Sequence, residues 1–446
     1  MKKILPILLT ISLSLLGTGC KKDKKGILTN PATLLLLVRS HSIGGTISGL
    51  TESGLVLQNN STDDLTVQAN ATSFTFATKV SGVYSVTVKT QPSSQTCTVT
   101  GGSGSASADV TSITISCVAA TFYAGGYSTN SSNVSIPGYW KSGTWTALTP
   151  IDSTKASEVK SMFISGSDVY AGGYSTNGSN VIVPGYWKNG TWTALTPIDS
   201  TKNAWVYTMA VSGSDVYGGG YSTNGSSVTV AGYWKNGTWT ALTPIDSTKN
   251  SEVYSIIVSG ADVYAGGYST NSSSVSVSGY WKNGTWNALP AIDSTKDAWI
   301  YSMAVSGSDV YGGAQSTNSS SVQVAGYWKN GTWTGLTSVD STKDADVDSM
   351  VISGTDVYGG GYSKNSSSVR IAGYWKNETW TALSSLASSQ DSRVRSMVIS
   401  GSDVYCAGYS KNSSSVRIAG YWKNGTWTGL TPLDSTKNSE VNSFTY

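Results

Sequence analysis

The chain has 446 residues, with 49 Gly, 25 Tyr and 16 Trp, 12% charged side chains and a formal net charge of +3. Lys2 and Lys3 carry two of these charges and residues 21–25 another three, so the rest of the chain has a charge of about −2. A near-neutral body argues against a nucleic-acid binder, which needs a basic surface. The sequence contains one histidine, His41, and no Cys/His cluster. We therefore expect no metal, no cofactor and no histidine-dependent catalysis.

The N-terminus is predicted to be a targeting segment. Residues 1–3 are positively charged, and residues 4–16 form an apolar run that is too short for a membrane span. The small residues before Cys20 resemble the lipobox of bacterial lipoproteins, with Gly17 where leucine is usual. The resemblance implies that residues 1–20 are a signal peptide and that Cys20 is acylated. The alternative is ordinary secretion, with no role for the cysteine.

Residues 21–31 are polar and basic, which favours a solvated tether between a membrane and the folded part. Together with the lipobox resemblance, this implies a lipid-anchored protein of the bacterial cell envelope. We expect it at the outer membrane, exposed at the cell surface and monomeric.

Residues 32–119 contain about seven short alternating segments separated by turn residues, which predicts a small β-sandwich. Cys97 and Cys117 flank a Gly/Ser-rich loop in an exported chain, so we expect a disulfide between them. The run at 54–60 and the Gln-Pro…Gln-Thr-Cys segment at 91–97 resemble an immunoglobulin-like module of bacterial surface lipoproteins. That resemblance implies a spacer, with the two cysteines on neighbouring strands.

A 47-residue repeat fills residues 120–446. Its clearest mark is the Trp of Gly-Tyr-Trp, which recurs at Trp140, Trp187, Trp234, Trp281, Trp328, Trp375 and Trp422. A fixed period of this length is typical of stacked supersecondary units. In the second copy, alternating segments predict strand A at 158–165, strand B at 168–174, strand C at 181–188 and strand D at 191–195.

Turn residues predict how these strands pair. The Asn-Gly pair at 189–190 favours a two-residue type I′ turn between strands C and D, because both residues accept a positive φ. Such a turn places Trp187 opposite Trp192, and a cross-strand aromatic pair contributes about 0.5–1.5 kcal/mol beyond its buried area. The glycine pair at 172–173 is unusual inside a strand. We expect an aromatic ring from a neighbour to lie flat over it.

Four antiparallel strands per repeat are typical of propeller blades. The double glycine, the following Tyr and a later Trp resemble the kelch repeat, although the spacing differs and a Tyr stands directly beside the Trp. The resemblance covers all seven copies and implies a propeller but no particular function. The first copy lacks strand A, and residues 439–446 read as a strand A without a following strand B. We expect this segment to complete the first blade and close a seven-bladed ring.

Two positions near the start of strand A differ between copies, whereas most positions keep one residue type. The first reads Glu158, Trp205, Glu252, Trp299, Asp346, Arg393 and Glu440. The second reads Lys160, Tyr207, Tyr254, Tyr301, Asp348, Arg395 and Asn442. A spacing of two places both side chains on one side of the strand. Because strand A is innermost in a propeller, we expect these residues around the mouth of the central channel, as a ligand site; the alternative is drift at loosely packed strand ends.

The basic residues of the last two copies, the Asp-Ser-Thr-Lys loops and Cys406 are each expected to have a structural role. Arg370 and Arg417, with Lys364 and Lys411 nearby, are expected to form a solvated basic surface. The repeated Asp-Ser-Thr-Lys loops supply too few carboxylates for calcium, and we expect local Asx-turns instead. Cys406, in strand B of the last copy, is expected to be a buried, inert thiol.

The sequence favours a non-catalytic interaction protein that binds a protein or a glycan through its propeller. The alternative is a hydrolase or lyase acting on polysaccharide, with Glu158, Asp346, Asp348, Arg393 and Arg395 meeting at the channel mouth. Neighbouring Asp/Arg pairs are more often simple ion pairs, which favours binding over catalysis. A lectin with one identical sugar site in every blade is a third possibility, but the repeated Tyr and Trp are better explained as core between blades.

Overall fold

The computed structural model describes residues 39–92 and 95–446. The predicted signal peptide, Cys20 and the tether lie outside the described residues. Every regular element in the described ranges is a β-strand, as the all-β prediction requires. Among the described residues, no helix has the length and apolar character that crossing a membrane would need.

The N-terminal part consists of two four-stranded sheets around one core. Its strands are β1 (Ile43–Ser48), β2 (Val56–Asn59), β3 (Asp63–Thr66), β4 (Ser73–Thr75), β5 (Gly82–Thr90), β6 (Gln95–Thr100), β7 (Ser103–Ala106) and β8 (Val110–Ala119). The orders are β4-β1-β8-β6 and β3-β2-β5-β7. Ile43 and Ile113 from the first sheet and Leu57 from the second are completely buried in the same cluster.

Cys97 and Cys117 form the predicted disulfide and are directly paired on the neighbouring strands β6 and β8. The segment between them differs from the prediction, because it contains strand β7 rather than only a loop. This strand of small residues pairs with β5 along one edge of its sheet. It has no apolar alternation, so its strand character comes from backbone pairing that sequence pattern does not reveal.

Residues 123–446 form repeated four-stranded antiparallel sheets, each with the strand order A-B-C-D. The A strands are β12 (Ser157–Ser165), β16 (Ala204–Ser212), β20 (Ser251–Ser259), β24 (Ala298–Ser306), β28 (Ala345–Ser353), β32 (Ser392–Ser400) and β36 (Ser439–Thr445). The B strands are β9 (Tyr123–Thr129), β13 (Asp168–Thr176), β17 (Asp215–Thr223), β21 (Asp262–Thr270), β25 (Asp309–Thr317), β29 (Asp356–Lys364) and β33 (Asp403–Lys411).

The C strands are β10 (Ser135–Lys141), β14 (Ile182–Lys188), β18 (Thr229–Lys235), β22 (Ser276–Lys282), β26 (Gln323–Lys329), β30 (Arg370–Lys376) and β34 (Arg417–Lys423). The D strands are β11 (Thr144–Ala147), β15 (Thr191–Ala194), β19 (Thr238–Ala241), β23 (Thr285–Ala288), β27 (Thr332–Gly335), β31 (Thr379–Ala382) and β35 (Thr426–Gly429). The first sheet takes its A strand from the far end of the chain, because β36 pairs antiparallel with β9.

The predicted C–D hairpin is confirmed. Asn189 and Gly190 have φ values of 50° and 86°, and Lys188 pairs with Thr191 across the turn. The rings of Trp187 and Trp192 lie 4.4 Å apart between centroids. Trp187 is completely buried and its Nε1–H donates to the carbonyl oxygen of Thr149 at 2.8 Å, in the loop that leaves the preceding sheet. The repeated Trp of strand C is therefore core between sheets.

The expectation of an aromatic ring over the strand B glycines is wrong. A Cβ atom on Gly172 would lie 2.2 Å from Cγ of Met209, and one on Gly173 would lie 2.0 Å from the carbonyl oxygen of Glu158. The close neighbours are thus a methionine of the next sheet and the backbone of strand A. The aromatic ring lies over strand C instead, where a Cβ on Gly185 would meet the Trp192 ring at 2.4 Å.

Consecutive A strands are joined by one repeated hydrogen bond. A hydroxyl on each A strand accepts the N–H of a core residue on the next A strand, at 2.9–3.3 Å. The accepting residues are Ser161, Thr208, Ser255, Ser302, Ser349, Ser396 and Ser443. The bond from Met162 to Ser443 connects β12 with β36, so the series returns to its start. This arrangement of repeated sheets is consistent with a β-propeller.

The sandwich lies beside the A–B and C–D turns. A Cβ on Gly401, in an A–B turn, would lie 4.0 Å from the carbonyl oxygen of Gln91. Ala119 and Ala120, which leave the sandwich, line a cavity of about 430 Å³ together with Ser142 of a C–D turn. In an antiparallel sheet of four strands, the B–C and D–A loops lie at the opposite end. The sandwich therefore leaves the face formed by those longer loops uncovered; we call it the loop face.

Candidate functional site

Each A strand carries a β-bulge near its beginning. In β12 the pairing with β13 skips one residue between Val159 and Ser161, and the other six A strands show the same irregularity. The skipped residues are those of the second variable position: Lys160, Tyr207, Tyr254, Tyr301, Asp348, Arg395 and Asn442. A bulge redirects a side chain and is common beside functional sites. The sequence pattern located these residues but did not reveal the bulge.

Five aromatic residues from three consecutive A strands form a continuous group, which we call the aromatic arc: Trp205, Tyr207, Tyr254, Trp299 and Tyr301. Ring centroids are 5.4 Å apart for Trp205 and Tyr207, and 5.0 Å for Tyr207 and Tyr254. Tyr301 lies 5.6 Å from Tyr254 and 6.3 Å from Trp299. Because these contacts cross from sheet to sheet, the predicted site residues of these strands do lie together.

Glu252 is enclosed by the aromatic arc. Burial raises the pKa of its carboxyl group, although the hydroxyls of Tyr254, Tyr268 and Tyr207 hydrogen-bond to it. Burial also raises the pKa values of Tyr207 and Tyr254 above their usual range. The negative charge of Glu252 is the second largest cause of both shifts. These tyrosines therefore remain protonated and act as hydrogen-bond donors.

The next three A strands contribute charged residues. Arg393 forms a bidentate contact with Asp348, with nitrogen–oxygen distances of 2.6 and 2.5 Å, and lies 3.4 Å from Asp346. Arg395 contacts Glu440 at 2.8 Å, and Arg417 of strand C contacts the same carboxylate at 2.9 Å. We call these residues the ionic arc: Asp346, Asp348, Arg393, Arg395, Arg417 and Glu440. Three carboxylates face three guanidinium groups, so the formal charges balance.

Lys160 and Glu158 lie where the two arcs meet. Lys160 Nζ is 2.5 Å from Glu158 Oε2, and it lies 5.5 Å from the ring centre of Trp205. On the other side, Asn442 Nδ2 donates to the carbonyl oxygen of Val159 at 2.8 Å, which connects β36 with β12. Glu158 is thus paired with a lysine of its own strand, whereas Asp346, Asp348, Arg393 and Arg395 form one network.

The prediction of a solvated basic surface in the last two repeats is wrong. Lys364 and Lys411 are each about four-fifths buried and contact Asp344 and Asp391 at 2.6 and 3.0 Å. The guanidinium groups of Arg370 and Arg417 lie 5.1 and 4.8 Å from the ring centres of Tyr362 and Tyr409. The four basic groups therefore lie against rings and carboxylates, and strands B and C pair each lysine with an arginine.

One residue of the site was missed in the sequence. On strand B, the position opposite the first variable residue is tyrosine in six sheets: Tyr127, Tyr174, Tyr221, Tyr268, Tyr362 and Tyr409. In the fifth repeat it is Gln315, paired with Trp299. The sequence alone shows this exception, because Gln315 is the one residue at these seven equivalent positions that is not tyrosine.

The loop face carries one exposed apolar side chain per sheet. They are 44–47% exposed and follow strand D at Ile151, Ile198, Ile245, Ile292, Val339, Leu386 and Leu433. The predicted Asx-turn follows this side chain in six of the seven sheets, as where Asp152 Oδ1 accepts from the N–H and hydroxyl of Thr154 at 2.9 and 2.7 Å. Within residues 39–92 and 95–446, no three acidic, histidine or cysteine side chains are placed to hold a metal ion.

Cys406 is 1% exposed, and burial raises the pKa of its thiol far above the usual range. It packs against Tyr358 and Trp422 in the core between two sheets. The prediction of a buried thiol is confirmed, and its raised pKa disfavours the reactive thiolate.

Asp346 should make stability depend on pH. It is 4% exposed, and burial raises the pKa of its carboxyl group to about 6, in spite of nearby Arg393. Because this pKa lies above the unfolded value of about 3.9, the stabilisation by the bound proton is present in acid and is lost as pH rises through 6. In urea unfolding, we expect the free energy of unfolding of the wild type, minus that of Asp346→Asn, to fall from pH 4 to pH 7. A constant difference would contradict the raised pKa.

No family model matches the chain, and no curated protein matches it. Solved structures similar to it include a triple arginine-to-alanine mutant of AofleA from Arthrobotrys oligospora, at 14% identity and a TM-score of 0.38, covering 60% of this chain and 83% of that chain. The SapL1 lectin in complex with alpha methyl fucoside matches at 13% and 0.37, covering 62% and 95%. A proposed 6-phosphogluconolactonase from Bacteroides uniformis matches at 15% and 0.36, covering 73% and 98%.

Proposed function

We propose that this chain is a non-catalytic binding protein of the bacterial envelope, lipid-anchored through Cys20 and monomeric. In this proposal an immunoglobulin-like sandwich serves as spacer for a closed, seven-bladed, kelch-like β-propeller. The ligand is a protein or a glycan that contacts the loop face at the mouth of the central channel. The anchor, the outer-membrane location and the surface exposure rest on the N-terminal sequence alone.

Two observations support the closed ring. Hydrogen bonds from a backbone N–H to a hydroxyl link each of the seven A strands to the next. The bond from Met162 to Ser443 links the first A strand to the last. Strand β36 also completes the first sheet beside β9, which covers an edge that would otherwise be open. Innermost strands in such a ring place their variable residues around one channel.

The observation that carries the function is the gathering of non-repeated residues. Residues that build the sheets are the same in nearly every copy, whereas the aromatic arc and the ionic arc bring together the residues that differ. Such a surface combines aromatic platforms with polar groups, as binding sites do. The position of the sandwich at the opposite turns leaves this mouth open to a large ligand.

The test uses the full chain on a glycan array and as bait with envelope extracts. We expect Trp205→Ala combined with Trp299→Ala to abolish binding and to lower the melting temperature by only a few degrees, because both rings are half-buried on the surface of the site. The matched control is Lys188→Ala combined with Lys235→Ala, which removes two side chains at the opposite turns. Full binding by the double tryptophan variant would contradict a ligand site at the mouth.

The alternative function, a polysaccharide hydrolase or lyase, is favoured by one feature. The raised pKa of Asp346 would let it hold a proton near pH 6. Against it, Asp346 and Asp348 both contact Arg393, which accounts for their burial without catalysis. Release of reducing ends from a polysaccharide, lost in Asp346→Asn, would replace the binding proposal by the enzymatic one.

A further inference from the structure

Gln315 lies on β25 directly opposite Trp299 of the aromatic arc and is completely buried. Among the described residues, neither its Nε2 nor its Oε1 has a hydrogen-bond partner. A buried amide without partners is costly, and buried polar groups are nearly always paired. Tyrosine fills this position in the other six sheets, so the glutamine is a local exception within a strongly repeated structure.

Two more polar atoms without partners lie on neighbouring positions. Trp299, directly opposite Gln315 on the adjacent strand, has an Nε1–H that makes no hydrogen bond within the described part of the chain. Asp346, on the next A strand, has an Oδ1 atom that likewise accepts no hydrogen bond from the described residues. Strand β25, which carries Gln315, packs against β28, which carries Asp346. In the next sheet, the ring of Tyr362, which occupies the position equivalent to Gln315, lies 4.8 Å from Arg393.

We propose that Trp299, Gln315 and Asp346 form a saccharide subsite, occupied by a neutral hydroxyl-bearing ring. This proposal rests on the function proposed above and names its ligand class. An indole N–H donates, a carboxylate oxygen accepts and an amide does both. A pair of hydroxyls, each a donor and an acceptor, matches that set, and the indole offers an apolar face for the C–H side of the ring.

Charge selects a neutral ligand over an ionic one. The ionic arc next to this subsite is balanced internally, with Asp348 bound to Arg393 and Glu440 bound to Arg395 and Arg417. An anionic sugar would meet the carboxylate of Asp346 first. A cationic ligand would have to compete for that carboxylate with Arg393, whose Nη2 lies 3.4 Å from Asp346 Oδ2.

Because Gln315 is fully buried, a ligand reaches its amide only when a neighbouring side chain moves. Trp299 is half-buried, and its N–H has no partner to give up among the described residues. Movement of its ring would therefore break no hydrogen bond of the indole N–H, and a hydroxyl entering between Trp299 and Gln315 would give both groups a partner.

The test compares Gln315→Leu and Gln315→Tyr with the wild-type full chain. The probe is an array of neutral, sialylated and sulfated oligosaccharides, followed by calorimetric titration of the best neutral sugar. We expect binding of neutral sugars by the wild type and at least a tenfold weaker affinity for both variants, with an unchanged or higher melting temperature. Removing an unpartnered amide should not destabilise the fold, so a loss of affinity without a loss of stability identifies a ligand contact. Gln58→Leu in the sandwich is the matched control.

Wild-type affinity in both Gln315 variants would overturn the subsite. Exclusive binding of sialylated or sulfated sugars, or of proteins, would also overturn it. In either case, loss of that binding in the Trp205→Ala, Trp299→Ala variant would leave the proposed function intact. Retention of binding in the double tryptophan variant would instead contradict the proposed function itself.

Discussion

Deletion of residues 439–446 is expected to abolish cooperative folding of the repeat region at 37 °C. The deletion removes β36, and with it Val441 and Phe444, which are 0% and 4% exposed. Burial of two such side chains contributes about 3–6 kcal/mol, which is comparable with the total stability of about 5–15 kcal/mol of a typical domain. The deletion also exposes the edge of β9 and removes the hydrogen bonds by which hydroxyl groups join β36 to β12 and to β32.

The measurement is thermal unfolding followed by near-ultraviolet circular dichroism, which reports the environment of the tryptophans. Deletion of Tyr446 alone is the control, because it lies outside β36 and is 36% exposed. We expect a shift of a few degrees for that control. An unchanged melting curve after removal of all eight residues would rule out closure of the array by this strand.

Replacement of Arg393 by leucine should destabilise the protein by about 3–5 kcal/mol at pH 7, because it leaves buried carboxylates without their partner. Asp346 and Asp348 have side chains that are 6% and 7% exposed, and both contact Arg393. Burial already raises the pKa of Asp346 in spite of Arg393, and without the guanidinium group this pKa must rise further. The loss should therefore shrink as pH falls from 7 to 4, because the carboxyl group of Asp346 then becomes neutral.

Urea unfolding at several pH values tests this expectation. The triple variant Arg393→Leu, Asp346→Asn, Asp348→Asn removes the charges together and should recover most of the lost stability. Arg370→Leu is the matched control, because that arginine is 35% exposed and contacts Asp391 at 3.7 Å. Equal losses for the two arginine variants would show that the ionic arc contributes no more than a surface ion pair.

Most of the repeat architecture could be predicted from the sequence, because it depends on local rules. The Asn-Gly turns, the paired tryptophans and the strand order follow from turn chemistry and alternation, and each is repeated often enough to be read reliably. Strand β7 could not be predicted, since its small residues have no apolar pattern. The neighbours of Gly172 and Gly173 were also misjudged, because Met209 belongs to the next sheet and its approach depends on how two sheets pack.

The site was predicted less completely. Comparison of the copies located the variable positions, but it could not show the bulge that redirects Tyr207 or Asp348. The pairing of Arg417 with Glu440 was missed, because the two residues come from different strands of different sheets and their contact is tertiary. Gln315 is a single exception at a position that is tyrosine in the other six sheets, so a comparison of the positions that vary from copy to copy does not find it.

The strand order of the first sheet determines how the molecule would carry tension between an anchor and a ligand. The chain enters the repeat region at β9, which lies inside the order β11-β10-β9-β36 and is hydrogen-bonded on both sides. A pull from the sandwich against a ligand on the opposite face runs along this strand. All hydrogen bonds of β9 then resist the pull at the same time. An edge strand pulled sideways would instead lose its hydrogen bonds one at a time. The strand that receives the chain from the sandwich is thus held by hydrogen bonds on both sides and is well placed to withstand force.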